Sequence, residues 1–174
     1  MKNTIKILLT AVLCLLLSGC GQETPSQSGT TAPDPVLDSV IERNRDAARR
    51  RGEFAESELH EYAVSYFTDL LTELFPERDI GNFEVSVMDN VPSDEMLEPL
   101  NGDNDRAFEL LRTSNFDVEI THTDDEPDLT YDERDAIMQA LADKRFTVHL
   151  IFAEFYEWDY ITDGEIRSEP IPGY

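Results

Sequence analysis

Cysteine is scarce in this sequence. The two cysteines, Cys14 and Cys20, both lie within the first twenty residues, and the rest of the chain carries no thiol. Without thiols, the body of the protein can hold neither a disulfide framework nor a thiolate nucleophile. Cysteine proteases, thiol oxidoreductases and cysteine-ligated zinc sites are therefore excluded.

Basic residues are also few. Lysine and arginine together number 14 against 37 aspartates and glutamates, which gives a formal net charge of −23 at pH 7. A surface this acidic repels nucleic-acid phosphates, so a nucleic-acid partner is excluded. Three explanations of the acidity stay open: a face for a cationic partner or divalent metal, adaptation to salt, or solubility of a surface protein.

Long apolar runs are limited to one short stretch near the N-terminus. It extends from Ile7 to Leu17 and is interrupted only by Thr10. Its length is about half of what a membrane-spanning helix needs, and it suits a signal peptide. The stretch ends in Leu17-Ser18-Gly19-Cys20, which resembles the lipobox of bacterial lipoproteins. This resemblance covers about the first twenty residues.

The lipobox resemblance implies a set of expectations about processing and location. Residues 1–19 would be a signal peptide cleaved before Cys20, and Cys20 would carry diacylglycerol and usually a further palmitate-type acyl chain. Two or more acyl chains give durable anchoring. The protein would then be anchored on the extracytoplasmic face of the cell membrane or outer membrane.

Composition divides the remaining chain into two parts. Residues 20–33 are rich in Ser, Thr, Gln, Gly and Pro, which is typical of a flexible tether. Residues 34–174 have the length and apolar content of one globular domain.

Hydrophobic periodicity predicts two helices at the start of this domain. The first begins at Asp34-Pro35, and we expect a break or kink at Gly52. The second, from Glu53 to Phe75, carries apolar residues at three- and four-residue steps. The first helix also carries the only basic cluster, which either contacts lipid headgroups or pairs with the acidic domain itself: Arg43, Arg45, Arg49, Arg50 and Arg51.

Alternating patterns and turn residues predict the rest of the fold. Helix caps are expected at Ser93, at Asp103 and in the capping box of Thr130 and Glu133. A two-residue hairpin is expected at Asp163-Gly164. The predicted strands are Asn82–Asp89, Phe116–Thr121, one long strand over Phe146–Tyr160, and Glu165–Ile171.

This element order predicts the fold class. Two helices precede strand, helix, strand, helix, strand and strand, and the strands have one polar face. We therefore expect an α+β two-layer sandwich with about four strands and a C-terminal β-hairpin. By analogy alone, a curved NTF2-like or cystatin-like sheet is one version of this architecture.

The densest group of hard-metal ligands follows the second strand. His122, Asp124 and Asp125 lead an acidic loop, and oxygen-rich groups of this kind suit calcium or magnesium. This pattern indicates either a divalent-metal-dependent hydrolase or a solvated acidic loop without a metal.

Aromatic residues mark a second candidate site. Tyr156, Trp158 and Tyr160 alternate with acidic residues, as in surfaces that receive a sugar or a cationic peptide. The alternative is that these rings fill the core or the sheet edge. Glu154 with Glu157 or Asp159 is the only sensible carboxylate pair for acid–base chemistry. Glu154 and Glu157 point to opposite faces of a regular strand, so a site shared by them needs a bulge, whereas Glu157 and Asp159 share a face near the expected exposed hairpin end.

The leading interpretation is a binding domain without catalysis. The sequence contains no Gly-rich phosphate loop, G-x-S-x-G, H-E-x-x-H or S-x-x-K motif. The polar sheet face or the hairpin would contact a cationic peptide, an envelope protein or a glycan, without a required cofactor. Two alternatives stay open: the metal-dependent hydrolase, and a structural subunit of an envelope complex.

Overall fold

Two α-helices open the described part of the chain. The computed structural model describes residues 35–123, 127–152, 155 and 157–171. Helix α1 extends over Pro35–Ala55 and helix α2 over Glu58–Leu74. Of the break or kink expected at Gly52, the break is wrong, because α1 continues through Gly52 to Ala55. A glycine inside a helix lowers stability by about 1 kcal/mol relative to alanine but does not by itself end the helix. The next helix, α2, begins after Ser57, whose side chain caps it by accepting a hydrogen bond from the His60 N–H.

Five strands form a single mixed sheet, in chain order. Strand β2 is parallel to β3, and the other neighbouring strands are antiparallel. The strands are β1 Phe83–Met88, β2 Phe116–His122, β3 Val148–Phe152, β4 Glu157–Thr162 and β5 Glu165–Pro170; the connections contain a 3₁₀ turn Ile80–Asn82 and helices α3 Asp94–Leu97, α4 Asn104–Thr113 and α5 Tyr131–Asp143.

The α+β two-layer sandwich is confirmed, with the described helices packed on one face of the sheet. Alternate residues of β2 and β3 point into the core, among them Phe116, Val118 and Leu150, which are almost completely buried. Helix α2 supplies the facing side chains, including Leu59 and Phe67. Among residues 35–123, 127–152, 155 and 157–171, no helix combines the length and apolar character needed to cross a membrane.

The expected long strand is wrong. Residues 148–152 and 157–162 form two antiparallel strands, β3 and β4, in which His149 lies opposite Tyr160 and Leu150 opposite Asp159. The sheet therefore has five strands instead of about four. The reversal also changes which residues share a face, because the even-numbered residues of β3 point into the core and Trp158 and Tyr160 of β4 point away from it.

The β4–β5 hairpin is confirmed at Asp163-Gly164. Both residues have left-handed backbone angles, with φ of 47° and 87°, as a two-residue type I′ turn requires. Ile161 then pairs with Ile166, as the turn position predicts. A Cβ atom at Gly164 would lie 2.9 Å from the backbone oxygen of Ala142, so glycine is needed here for space as well as for its backbone angle.

Helix N-termini follow their local sequence signals. Asp103 caps α4 by accepting a hydrogen bond from the Arg106 N–H at 3.0 Å. Thr130 and Glu133 form the predicted capping box of α5, in which the Glu133 carboxylate accepts the Thr130 N–H at 2.8 Å. The guanidinium of Arg78 contacts both carboxylate oxygens of Glu133, which ties α5 to the segment after α2.

This capping box predicts acid-dependent stability. Burial raises the pKa of Glu133, but hydrogen bonds from Thr130 and from the Arg78 guanidinium outweigh it and lower that pKa below its usual value. A lowered pKa stabilises the fold above the ordinary glutamate pKa of about 4.3, and the contribution is lost as the pH falls through the folded-state value.

We therefore expect Glu133→Gln to cost about 1 kcal/mol of unfolding free energy at pH 7. The difference from the unmodified chain should shrink as the pH falls below about 4. Urea unfolding of both chains across this pH range measures it. A difference that stays constant from neutral to acid pH would contradict the role given to the Glu133 charge.

Candidate functional site

The sheet face opposite the helices is the candidate site, and we call it the open face. The strand registers define its members by their alternation with the core residues. It comprises Glu84, Ser86 and Met88 on β1, Asp117, Glu119 and Thr121 on β2, His149 and Ile151 on β3, Trp158, Tyr160 and Thr162 on β4, and Glu165, Arg167 and Glu169 on β5.

Three rings occupy the middle of the open face, and we call them the aromatic cluster: His149, Trp158 and Tyr160. The His149 and Tyr160 rings are stacked, with centroids 4.5 Å apart and planes 10° apart. The Trp158 ring meets His149 edge-on at 6.4 Å. All three side chains are partly exposed, so a ligand can reach ring surface without displacing core residues.

A carboxylate holds the His149 ring in place. Its Nδ1 atom lies 3.2 Å from Asp117 Oδ1, across the parallel β2–β3 pairing that sets these residues side by side. The Asn90 amide donates to the other oxygen of Asp117 at 3.2 Å. His149 Nε2 is buried and has no hydrogen-bond partner among the described residues. Asp117 thus fixes the orientation in which His149 stacks on Tyr160.

Carboxylates on β2 and β5 border the aromatic cluster, and Arg167 lies directly opposite Tyr160. Glu169 lies directly opposite Trp158 on the neighbouring strand, and Glu119 follows Asp117 along β2 on the same face. The only basic side chain among the open-face residues, Arg167, pairs with Glu165 at 3.2 Å. Aromatic rings attract cations through their negative faces, and a carboxylate border adds a negative potential. The chemistry of this surface therefore matches a cationic group.

The structure brings together two of the three predicted aromatic residues. Trp158 and Tyr160 share the open face, whereas Tyr156 lies outside the described residues. A single long strand would have placed Val148 on the same face as Trp158 and Tyr160. The β3–β4 reversal places His149 beside them instead. Sequence reasoning missed Asp117 and His149 as site members; the polar alternation of β2 was the available signal, but its pairing with β3 is non-local.

Only part of the predicted metal loop lies within the described residues. His122 Nε2 lies 2.9 Å from Asp128 Oδ1, while Asp124 and Asp125 lie outside the described residues. Within the described ranges, no group of three or more His, Cys, Asp or Glu side chains is arranged to hold a metal ion. His122 and His149 lie on opposite faces of the sheet, so these two histidines do not converge on one site.

Of the predicted acid–base carboxylates, Glu154 lies outside the described residues, and Glu157 and Asp159 both contact Arg134. Asp159 is completely buried, contrary to the expected exposed end, and accepts two hydrogen bonds from Arg134. Glu157 also contacts this guanidinium, at 2.7 Å. The hydrogen bond to Asp159 raises the pKa of Arg134 despite the opposing effect of burial, so the guanidinium stays charged.

A groove outside the open face is also acidic, with a volume of about 470 Å³ between the start of α2 and the segment after α3. The Glu58 carboxylate there accepts the backbone N–H groups of Leu100 and Asn101 at 2.8 Å, and Glu98 pairs with Arg106 at 2.9 Å. These contacts give both carboxylates a structural role in fixing the loop before α4.

Comparison with known proteins identifies no relative of this chain. No protein-family model matches it, and no curated protein or solved structure matches it either. The functional argument therefore rests on the chemistry of the open face.

Proposed function

We propose that this protein is an envelope-anchored binding protein, without catalysis, whose open face captures a cationic peptide segment of an envelope partner. The observation that carries the proposal is the aromatic cluster of His149, Trp158 and Tyr160 bordered by carboxylates. The proposed anchor is the acylated Cys20, which places the domain on the extracytoplasmic face of the cell membrane or outer membrane.

The chemistry of the cluster favours arginine and lysine side chains. Their aliphatic stems pack on ring faces while the charged heads reach neighbouring carboxylates. Each cation–π contact contributes about 0.5–1 kcal/mol when exposed and about 2 kcal/mol when desolvated. Glu119 and Glu169, on opposite sides of the cluster, can receive the heads of successive basic residues. A cationic segment lying across the strands satisfies both contacts at once.

The chain before the domain supports a partner close to the membrane. A flexible tether of the length of residues 20–33 has a root-mean-square span of roughly 20 Å. A domain held within such a distance meets membrane and envelope proteins at high effective concentration. A weak individual contact on the open face then suffices for capture.

The test is calorimetric titration of the full processed chain, in detergent, with a hexa-arginine peptide at low salt. We expect Trp158→Ala and Tyr160→Ala each to weaken binding about tenfold, since truncating a central aromatic contact typically costs 1–2 kcal/mol. Glu119→Gln should weaken binding less, and the affinity should fall with added salt.

The matched control is Glu77→Gln, which removes the same charge from an exposed site between α2 and β1. It should leave the affinity unchanged within about twofold. If Glu119→Gln and Glu77→Gln weakened peptide binding equally and Trp158→Ala did not change it, the overall charge of the protein would explain the binding. That result would contradict the proposal. Tight binding of an uncharged chito-oligosaccharide in place of the peptide would also contradict it and assign the rings to a glycan.

A further inference from the structure

The first half of α1 exposes an apolar stripe. Its four members, which we call the α1 stripe, are Val36, Leu37, Val40 and Ile41, exposed by 67%, 57%, 37% and 39%. The second half of the same helix packs on the domain through Phe54, which is 2% exposed. The stripe therefore extends the packed side of α1 toward the N-terminus of the helix.

The arginines of α1 differ in their partners. Arg49 pairs within the helix, with Asp46 at 3.8 Å and Glu53 at 3.7 Å. Arg50 pairs with Asp94 at 2.6 Å, and Arg51 donates to the Asn90 carbonyl, so these two serve the domain's own packing. Arg43 and Arg45 are exposed and make no ion pair with the domain among the described residues. Of the two predicted roles of the basic cluster, pairing with the domain therefore describes only its C-terminal part.

Helical geometry places the remaining arginines beside the α1 stripe. Arg43 follows Val40 by three residues and Arg45 follows Ile41 by four, so each lies one turn beyond a stripe residue. The carboxylates of Glu42 and Asp46 project from the opposite side of the helix. An apolar stripe bordered by arginine, with acids on the far side, is the arrangement of a helix that lies in a membrane interface.

We propose that the α1 stripe, with Arg43 and Arg45, lies in the headgroup region of the anionic lipid membrane that holds the protein. This inference rests on the proposed anchor at Cys20. In the sequence, only the proposed tether separates Cys20 from α1, and a flexible tether of that length has a root-mean-square span of roughly 20 Å. With a formal net charge of −23, the chain as a whole is repelled by anionic headgroups. Arg43 and Arg45, beside the α1 stripe, supply a local attraction.

The consequence of this contact is a fixed orientation. Acyl chains alone tether the domain but leave it free to rotate. Insertion of the α1 stripe adds a second attachment, and the same helix is joined to the domain by the Phe54 packing and the Arg50–Asp94 pair. The membrane thereby holds the domain in one preferred orientation.

The test uses the processed, acylated chain in vesicles of phosphatidylcholine with and without phosphatidylglycerol. Ile41→Cys carries an environment-sensitive dye, and Glu42→Cys is the matched control on the opposite side of α1. We expect a blue-shifted emission at position 41 that is quenched by acyl-chain-brominated lipid, and water-like emission at position 42. The shift at 41 should increase with phosphatidylglycerol content.

The arginines are tested in the labelled Ile41→Cys chain. Arg43→Gln and Arg45→Gln should each lower the ratio of inserted to free helix about fivefold in phosphatidylglycerol vesicles, as expected for one basic residue near an anionic surface. Arg167→Gln, on β5, should leave the ratio unchanged.

Vesicle flotation separates failure of the anchor from failure of this inference. A chain that floats with the vesicles but shows water-like emission at both positions overturns the α1 contact and leaves the anchor intact. A chain that does not float contradicts the anchor and this inference together. A shift at 41 that depends on protein density instead of phosphatidylglycerol content assigns the stripe to a second copy of the chain and overturns the membrane contact.

Discussion

Arg134→Leu is expected to lower the free energy of unfolding by about 3–5 kcal/mol, the typical cost of removing one partner from a buried ion pair. Arg134 is 4% exposed, and its guanidinium donates hydrogen bonds to Asp159, which is completely buried. Ser168 donates to Asp159 at 2.6 Å, so this network joins α5, β4 and β5. Without the guanidinium, the Asp159 charge is left in the core without a cation.

Two further variants separate this cause from a general loss of packing. Arg134→Leu combined with Asp159→Leu removes both charges and should recover most of the lost stability, since a buried pair can be replaced by apolar groups at little cost. Arg167→Leu, which breaks the exposed Arg167–Glu165 pair, should change stability by less than about 0.5 kcal/mol. Urea unfolding measures all three variants. A double variant less stable than Arg134→Leu alone would contradict the electrostatic explanation.

Phe146→Ala is expected to cost about 3–5 kcal/mol, the range for truncating a buried phenylalanine. Phe146 is fully buried at the junction between α5 and β3. Its ring stacks on Tyr66 with centroids 5.4 Å apart and meets Phe67 and Phe108 edge-on at 6.2 Å and 5.8 Å. The ring therefore joins α2 and α4 where the chain enters the sheet, and its removal leaves a cavity among aromatic neighbours.

The same urea measurement supplies the controls for the core. Phe146→Leu keeps most of the volume and should cost less than about 2 kcal/mol. Val91→Ala, at a side chain that is 70% exposed, should stay within about 0.5 kcal/mol. If Phe146→Ala cost no more than Val91→Ala, Phe146 would not be part of the packed core.

Local chemistry made much of the fold predictable. The side chains of Asp103 and Thr130 cap their helices by bonding neighbouring backbone groups, and their sequence patterns identify them directly. Ser93 occupies the predicted N-cap position of α3 without a side-chain capping hydrogen bond. The type I′ turn at Asp163-Gly164 requires two left-handed residues, a requirement that few other dipeptides meet. The element order and the one-sided strands were then sufficient for the α+β class.

The β3–β4 reversal was not predictable from the same signals. The sequence between Phe152 and Glu157 contains no Gly, Pro, Asn or Asp, so no turn residue marks the point where the chain reverses. The parallel pairing of β2 with β3 joins residues more than 30 positions apart. The contact between Asp117 and His149 depends on that pairing, and a single strand pattern carries no information about it.

The burial of Arg134 could have been predicted from the hydrophobic periodicity of α5. Arg134, Ile137 and Leu141 lie at three- and four-residue steps on the buried side of α5, so the arginine stands within an apolar stripe. A charged residue at such a position needs a buried partner of opposite charge. Finding that partner on β4 required the fold itself, because 25 residues separate the two side chains.

The most direct test of the proposed binding site uses Trp158, the only tryptophan in the sequence. Its fluorescence reports on the open face alone, because no second tryptophan contributes to the emission. We predict that a hexa-arginine peptide changes the Trp158 emission until it saturates, and that half-saturation occurs at the same peptide concentration by fluorescence and by calorimetry. A hexa-glutamate peptide should not change the emission. Peptide binding by calorimetry with unchanged Trp158 emission would place the contact elsewhere and contradict the account.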